Sequence, residues 1–239
     1  MFGCIRKSIP NGLTCLNLFC GCVASVYAFN HDFDMALLFI ALSAVFDFLD
    51  GMAARVLKAF SLIGKDLDSL ADDVSFGFAP SVIAFSFMQE IMYSSGGEEM
   101  IGLSFLPYVA FLIAVFSALR LAKFNNDTRQ TSSFVGLPVP ANALFWASLV
   151  AAYHDSLLEF TYILPVMIIL VCFFSYMLVS EIPMFSLKFK SLRVKDNLIQ
   201  YIFLLGGCLP LLAVLQTGGI AAIIVWYILL SVITQKKPV

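Results

Sequence analysis

The chain has 239 residues, 61% of them hydrophobic and 13% charged, with a mean hydropathy of +0.94. Soluble domains average about half apolar and about a quarter charged, so this composition excludes an ordinary soluble domain and makes lipid the expected solvent. The formal net charge of -2 says little, because in a membrane protein the placement of charge matters more than its sum; no nucleic-acid partner is expected.

A helix that crosses the hydrocarbon core needs about 20 mostly apolar residues. That ruler predicts eight spans, at about 12–30, 35–57, 67–92, 103–123, 140–154, 160–180, 198–216 and 218–234, the fifth and eighth being short. Arg6 and Lys7 precede the first apolar stretch, but no small-residue cleavage pattern follows and more spans come after it, so it reads as a span rather than a cleaved leader. The breaks carry turn chemistry: "NHDFD", "SSGGEE", "GLPVP", "YHDS" and "QTGG". The six cysteines show no CxxC spacing and read as small membrane-compatible hydrophobes.

Orientation follows from the basic residues. Alternate loops at 30–34, 93–100, 153–159 and 216–219 contain no lysine or arginine, and all 14 basic residues fall on the other side. Because positive residues stay cytoplasmic, the expected fold is an all-α integral membrane protein. It is a single polytopic domain over 1–239, a bundle of about eight transmembrane helices with both termini cytoplasmic. The basic segment 186–197 fits the same rule and an attraction to anionic headgroups. His31 and His154 fall in opposite-side loops and are excluded from catalysis, while Glu90 is read as interfacial.

The chemistry concentrates in "DFLDGMAARVLKAFSLIGKDLDSLADD", residues 47–73, with six aspartates. Asp47 and Asp50 lie before the predicted cytoplasmic end of span two, roughly 10–15 Å along its axis. Carboxylates at such depth are costly and face polar cavities with a partner. At about 100° per residue, with Asp47 as zero, Asp50 falls at about -60°, Ala54 at about -20°, Gly51 at about +40° and Arg55 at about +80°. Asp68 and Asp72 form an i,i+4 pair on the next helix, whereas Asp66 and Asp73 point to its other side and read as solvated.

Four converging carboxylates repel one another unless cations neutralise them. Hard ions such as Mg²⁺ or Mn²⁺ take oxygen ligands together with substrate phosphates, and two such ions can clamp a displacement at phosphorus. Gly51 and Ala54 leave room for a nucleotide, and Arg55 can meet phosphate oxygens bidentately. A proton or cation pathway is the other function class these residues fit.

The pattern Asp47-x2-Asp50-Gly51-x2-Ala54-Arg55-x8-Gly64-x3-Asp68-x3-Asp72 resembles, without a departure, the signature of the CDP-alcohol phosphatidyltransferase family. The stretches "IPNGLTCLNLFCG", "DSLADDVSFGFAPS" and "SALRLAKFN…FVGLPVPANA" look like its phosphatidylserine synthase branch, the likeness covering about 10–145. Lys123 stands where arginine is more usual in that branch, which weakens any bidentate role.

The resemblance implies phosphatidyl transfer from CDP-diacylglycerol to L-serine at two Mg²⁺ or Mn²⁺ ions, with CMP released. By position it implies Asp47, Asp50 and Asp68 as metal ligands and Asp72 as both ligand and general base. It implies Gly51, Arg55 and Ser61 as contacts of CDP-diacylglycerol, with Asp47 beside them. Pro10, Asn11, Gly12 and Leu13 would line the nucleotide pocket, with Thr14 next to them. Asn11, Thr14 and Asn17, three apart, share one side of span one across about 120°, which suits either polar contacts or helix capping and packing. Arg120, Lys123 and Asn125 are candidate contacts for serine or the diphosphate, or topology-setting charges beside a helix end. Gly136 permits a tight bend in "FVGLPVPANA". A homodimer in a bacterial-type inner membrane, with the active site facing the cytoplasm, completes the expectation. Another acceptor alcohol, such as glycerol 3-phosphate or an inositol phosphate, is the alternative within the family.

Overall fold

The computed structural model describes residues 2–59, 61–94, 104–126, 134–185 and 197–234. The basic segment at 186–196 and the loop at 95–103 lie outside the described residues, as do Arg129, Lys236 and Lys237. Helices dominate: α1 (Phe2–Phe29), α2 (Phe33–Val56), α3 (Leu62–Asp72), α4 (Ala79–Ser94), α5 (Leu112–Asn126), α6 (Val139–Leu158), α7 (Ile163–Val179), α8 (Leu198–Phe203), α9 (Leu209–Leu215) and α10 (Gly218–Ile233). A π-helical turn, Asp73–Phe78, joins α3 to α4, and another, Leu204–Cys208, joins α8 to α9; a 3₁₀ turn, Leu106–Phe111, leads into α5.

These pieces stack into eight rods among the described residues, and their positions follow the predicted spans with shifted ends. Five are long and apolar enough to cross a bilayer: Ser8–Phe29, Phe33–Val56, Leu62–Ser94, Leu106–Asn126 and Leu198–Leu215. α7 and α10 are apolar but shorter, and α6, which carries Asn142, His154 and Asp155, is not among the five. The chain is thus an all-α membrane protein. The largest shift is at the start, where helix continues through Pro10 back to Phe2, although proline removes one helical donor.

The third rod, Leu62–Ser94, is the central mast. It is 33 residues long and far more buried than the other four long rods, at 78% of its apolar window. Every residue from Ala79 to Met88 is buried, as expected of a helix that is apolar all round. At 1.5 Å per residue, Asp68 and Glu90 are separated by about 33 Å along the mast, close to the thickness of a hydrocarbon core. At the Glu90 end its Oε2 meets His31 Nδ1 at 3.0 Å and His154 Nε2 at 3.0 Å, so both histidines lie at the end of the mast away from the aspartates.

α1 packs along α2 and along the mast. Its buried positions, Pro10, Thr14, Asn17, Cys20, Gly21, Ala24, Ser25 and Ala28, recur every three or four residues, a stripe of mostly small side chains of the kind that lets membrane helices approach closely. Asp32 caps α2 by accepting from Met35 N at 3.1 Å. A two-residue antiparallel pairing, Phe134 with Met184 and Val135 with Pro183, ties the entrance of α6 to the exit of α7. Gly136 supplies the bend expected of it, at φ 76°.

Gly21 marks the tightest approach of α1 to the mast: a Cβ there would stand 2.6 Å from Ser75 Cα, which is backbone and cannot step aside. Gly21→Ala is therefore expected to destabilise the bundle by about 1–3 kcal/mol. The check is a thermal unfolding midpoint in detergent below that of the parent, with a loss of activity that follows unfolding.

Candidate active site

At the end of the bundle away from Glu90, α2 and α3 carry the aspartate signature, with α1 packed against both. Asp47 and Asp50 are separated by one turn of α2, and Asp68 and Asp72 by one turn of α3. The structure brings Asp47, Asp50 and Asp68 together, each offering one oxygen within 4.8 Å of the others. Asp50 is buried at 6% exposure, and Asp68 keeps a buried Oδ1 with no hydrogen-bond partner. Asp72 is half-buried, with Asp47, Asp68 and Asp50 as its electrostatic neighbours. Among the described residues no lysine or arginine forms an ion pair with any of the four. A set of hard oxygens, close together and lacking a cationic partner, fits a divalent cation. Of the two aspartates read as solvated, Asp66 is exposed, but Asp73 is half-buried with Oδ1 enclosed. It packs beside Gly77 and Ser117 because α5 covers that face of the π turn.

α1 reaches the cluster through side chains. The Thr14 hydroxyl lies 2.6 Å from Asp50 Oδ2 and 3.1 Å from Pro10 O, and the shorter contact to the carboxylate takes its proton. Asn17 Nδ2 donates to Asp72 Oδ1 at 3.1 Å. Asn11 stands at the start of α3, where a Cβ on Gly64 would lie 3.1 Å from its Oδ1. Pro10 is buried and Leu13 half-buried. Gly12 and Gly51 border open space: a Cβ on Gly12 meets nothing within 4 Å, and one on Gly51 meets only Arg55 Nη2 at 3.9 Å.

The polar residues further out divide by role. Arg55 is exposed and its Nε donates to Gly51 O at 2.9 Å, one turn back on its own helix. Ser61 is the N-cap of α3 and accepts from Gly64 N at 3.0 Å. Asn125 Nδ2 donates to Ser69 Oγ at 2.8 Å, next to Asp68 in sequence, and Lys65 Nζ donates to Asn125 O at 3.2 Å.

Arg120 and Lys123 look elsewhere. Arg120 is buried, donates from Nε to Leu137 O at 2.6 Å, and has Tyr227 rather than an aspartate as its electrostatic neighbour. Lys123 Nζ donates to Val179 O at 3.3 Å. Both line a cleft of about 520 Å³ between α5 and the end of α7, with Asn126, Ser180 and Glu181. The trio Arg120, Lys123 and Asn125 is thus split, with only Asn125 bonded to α3.

Sequence reasoning singled out Asn17 without giving it a partner, and it missed Ser43 and Ser75. Their hydroxyls donate to Asn17 O at 3.1 and 3.0 Å. The available signal was the spacing of Thr14, Asn17 and Gly21 on one face of α1 beside the SFG stretch of the mast.

The chain matches the family profile described as CDP-alcohol phosphatidyltransferase over residues 7–179. It is similar to a protein named CDP-diacylglycerol–serine O-phosphatidyltransferase from Bacillus subtilis, 36% identical over 178 residues, which are 73% of this chain and 88% of that protein. A protein of the same name from Helicobacter pylori is 38% identical over 137 residues, 56% of this chain and 54% of its own length. An archaetidylserine synthase from Methanothermobacter thermautotrophicus is 30% identical over 139 residues, 57% of this chain and 55% of its own length. The chain therefore spans most of the Bacillus protein and about half of the other two. With the profile extending over α1 to α7 and containing every position of the aspartate signature, the chain belongs to the CDP-alcohol phosphatidyltransferase family.

Proposed function

We propose that this chain transfers the phosphatidyl group of CDP-diacylglycerol to L-serine, giving phosphatidylserine and CMP. The observation that carries the reading is the meeting of Asp47, Asp50 and Asp68 oxygens within 4.8 Å, on the two helices that bear the family signature. The serine acceptor is supported by the names of the matched relatives.

Asp47, Asp50 and Asp68, with Asp72 beside them, would hold Mg²⁺ or Mn²⁺, which when bound would supply charge neutralisation for the diphosphate and the departing CMP. Thr14 keeps the Asp50 carboxylate in line. The open space at Gly12 and Gly51 lets the nucleotide approach the backbones of α1 and α2, with Pro10, Asn11 and Leu13 along its wall. Arg55, restrained only by a carbonyl of its own helix, swings to the phosphate oxygens, and Ser61 meets the same substrate from the start of α3. The acyl chains stay in lipid.

Asp72 takes the proton of the serine hydroxyl, a base within hydrogen-bond reach being the geometric requirement. The serine oxygen forms its bond to the phosphorus on the lipid side as the bond to CMP breaks, and CMP leaves with the electron pair. Serine also brings a carboxylate, and Arg120 and Lys123 would meet it or the diphosphate only by turning from the carbonyls of Leu137 and Val179 that they now bond. Asn125 links that helix to Ser69 on α3.

The eight rods cross a bacterial-type inner membrane with both termini and the aspartates on the cytoplasmic side, and two copies form a homodimer. The sorting of basic residues supports this orientation, and family membership supports the dimer.

Asp72→Asn is expected to lower turnover by about 10²–10⁴-fold while nucleotide binding, measured by calorimetry with CDP-diacylglycerol in mixed micelles, stays near that of the parent. A near-normal rate would remove Asp72 as the base. In an acceptor competition with labelled CDP-diacylglycerol, serine is expected to take the label in preference to glycerol 3-phosphate. Preference for glycerol 3-phosphate would reassign the acceptor, and the absence of CMP release with any acceptor would favour an ion pathway instead.

A further inference from the structure

Asp72 is a short side chain on a helix, and its usefulness as a base depends on which oxygen faces the reacting centre. Among the described residues its only hydrogen-bond donor is Asn17, whose Nδ2 lies 3.1 Å from Oδ1. Asn17 is fully buried, and its stretch of α1 is held by two neighbouring rods. Its own main-chain oxygen accepts Ser43 Oγ from α2 at 3.1 Å and Ser75 Oγ from the mast at 3.0 Å. One turn along α1, Gly21 permits the approach that brings Ser75 within reach.

The residue type is informative. An amide can offer a carboxylate either its nitrogen or its oxygen, and only the nitrogen donates, so the carboxylate dictates how the amide is turned. A lysine or arginine here would form an ion pair with Asp72 and compete with the cations for the four carboxylates. A neutral amide holds one oxygen of Asp72 without adding charge. The cost of this arrangement is visible, because Asn17 Oδ1 is buried without a partner, and burying an unpaired acceptor is unfavourable.

We infer that Asn17 is a positioning residue for the transfer reaction: seated by Ser43, Ser75 and Gly21, its amide fixes the rotation of the Asp72 carboxylate and leaves Oδ2 for the acceptor hydroxyl. The inference rests on the reading of Asp72 as the base.

The test uses the full-length protein in mixed micelles with CDP-diacylglycerol, serine and Mn²⁺. Asn17→Leu keeps the size of the side chain and removes the donor. Orienting partners of this kind cost about 10–100-fold when lost, so kcat is expected to fall by that factor. KM for both substrates and the Mn²⁺ concentration for half-maximal rate should stay within about threefold of the parent, the pattern of an interaction that acts in the transition state. Ser75→Ala, which loosens the seat and leaves the amide in place, should show a smaller fall of the same kind.

A kcat for Asn17→Leu within about twofold of the parent overturns the inference, as does a fall accompanied by a shift of about tenfold or more in the Mn²⁺ requirement, which would mean that the amide acts through the metal ligands. If Asn17→Leu fails to unfold cooperatively on heating, Asn17→Gln, which displaces the amide by one methylene, is read by the same criteria. Asp72→Asn is run in parallel. Activity in that variant removes the base reading itself, whereas an inactive Asp72→Asn beside an unimpaired Asn17→Leu overturns the positioning role alone.

Discussion

Mutual repulsion among carboxylates at one end of an apolar bundle is the constraint on which the rest of the structure turns. Asp47, Asp50 and Asp68 converge within 4.8 Å, Asp72 stands beside them, and among the described residues no basic side chain pairs with any. Hydrophobic burial alone would push such groups apart or out to water. They are held because their helices are committed elsewhere: α2 by its packing on α1, and α3 by its continuity with the buried mast. The neutral contacts from Thr14 and Asn17 orient carboxylates without neutralising them, leaving the charge available for the divalent ions that the proposed reaction would use.

The mast explains how one sequence segment serves two ends of the membrane. Its length places Asp68 and Asp72 at one end and Glu90, held by His31 and His154, at the other. The polar groups at the Glu90 end join the α1–α2 turn, the mast and α6, so the rods that present the aspartates are tied together away from the chemistry. At the aspartate end, the exposed Arg55 and the open space beside Gly12 and Gly51 contrast with the buried Asp50 and Asn17. Of the groups proposed for the nucleotide, Arg55 is exposed and Gly12 and Gly51 border open space, whereas Asp50 and Asn17, proposed for the metal and for orienting the base, are enclosed by packing.

What was legible in the sequence was local and periodic. Asp47, Asp50, Asp68 and Asp72 could be grouped because α2 and α3 are regular helices, where spacing translates into direction. The positions of the rods could be read because lipid demands long apolar runs. The contacts between Asn17, Ser43, Ser75 and Asp72 were not legible, since they depend on how closely α1 approaches two other helices, and a single Gly21 sets that distance. Asp73 was misjudged because a phase argument knows nothing of α5 packing over it or of the π turn that begins there. Arg120, Lys123 and Asn125 were grouped by sequence proximity, yet their side chains take partners on different elements, Leu137, Val179 and Ser69.

In the proposed reaction the aspartates bind divalent ions that turnover requires. The direct test is electron paramagnetic resonance of Mn²⁺ titrated into purified protein, compared with serine-dependent CMP release in the same samples. Saturable Mn²⁺ binding that is lost or strongly weakened in Asp47→Asn and Asp68→Asn is expected, together with CMP release that disappears with chelator and returns with Mn²⁺. Full CMP release in chelator, or unchanged Mn²⁺ binding in both variants, would contradict this proposal.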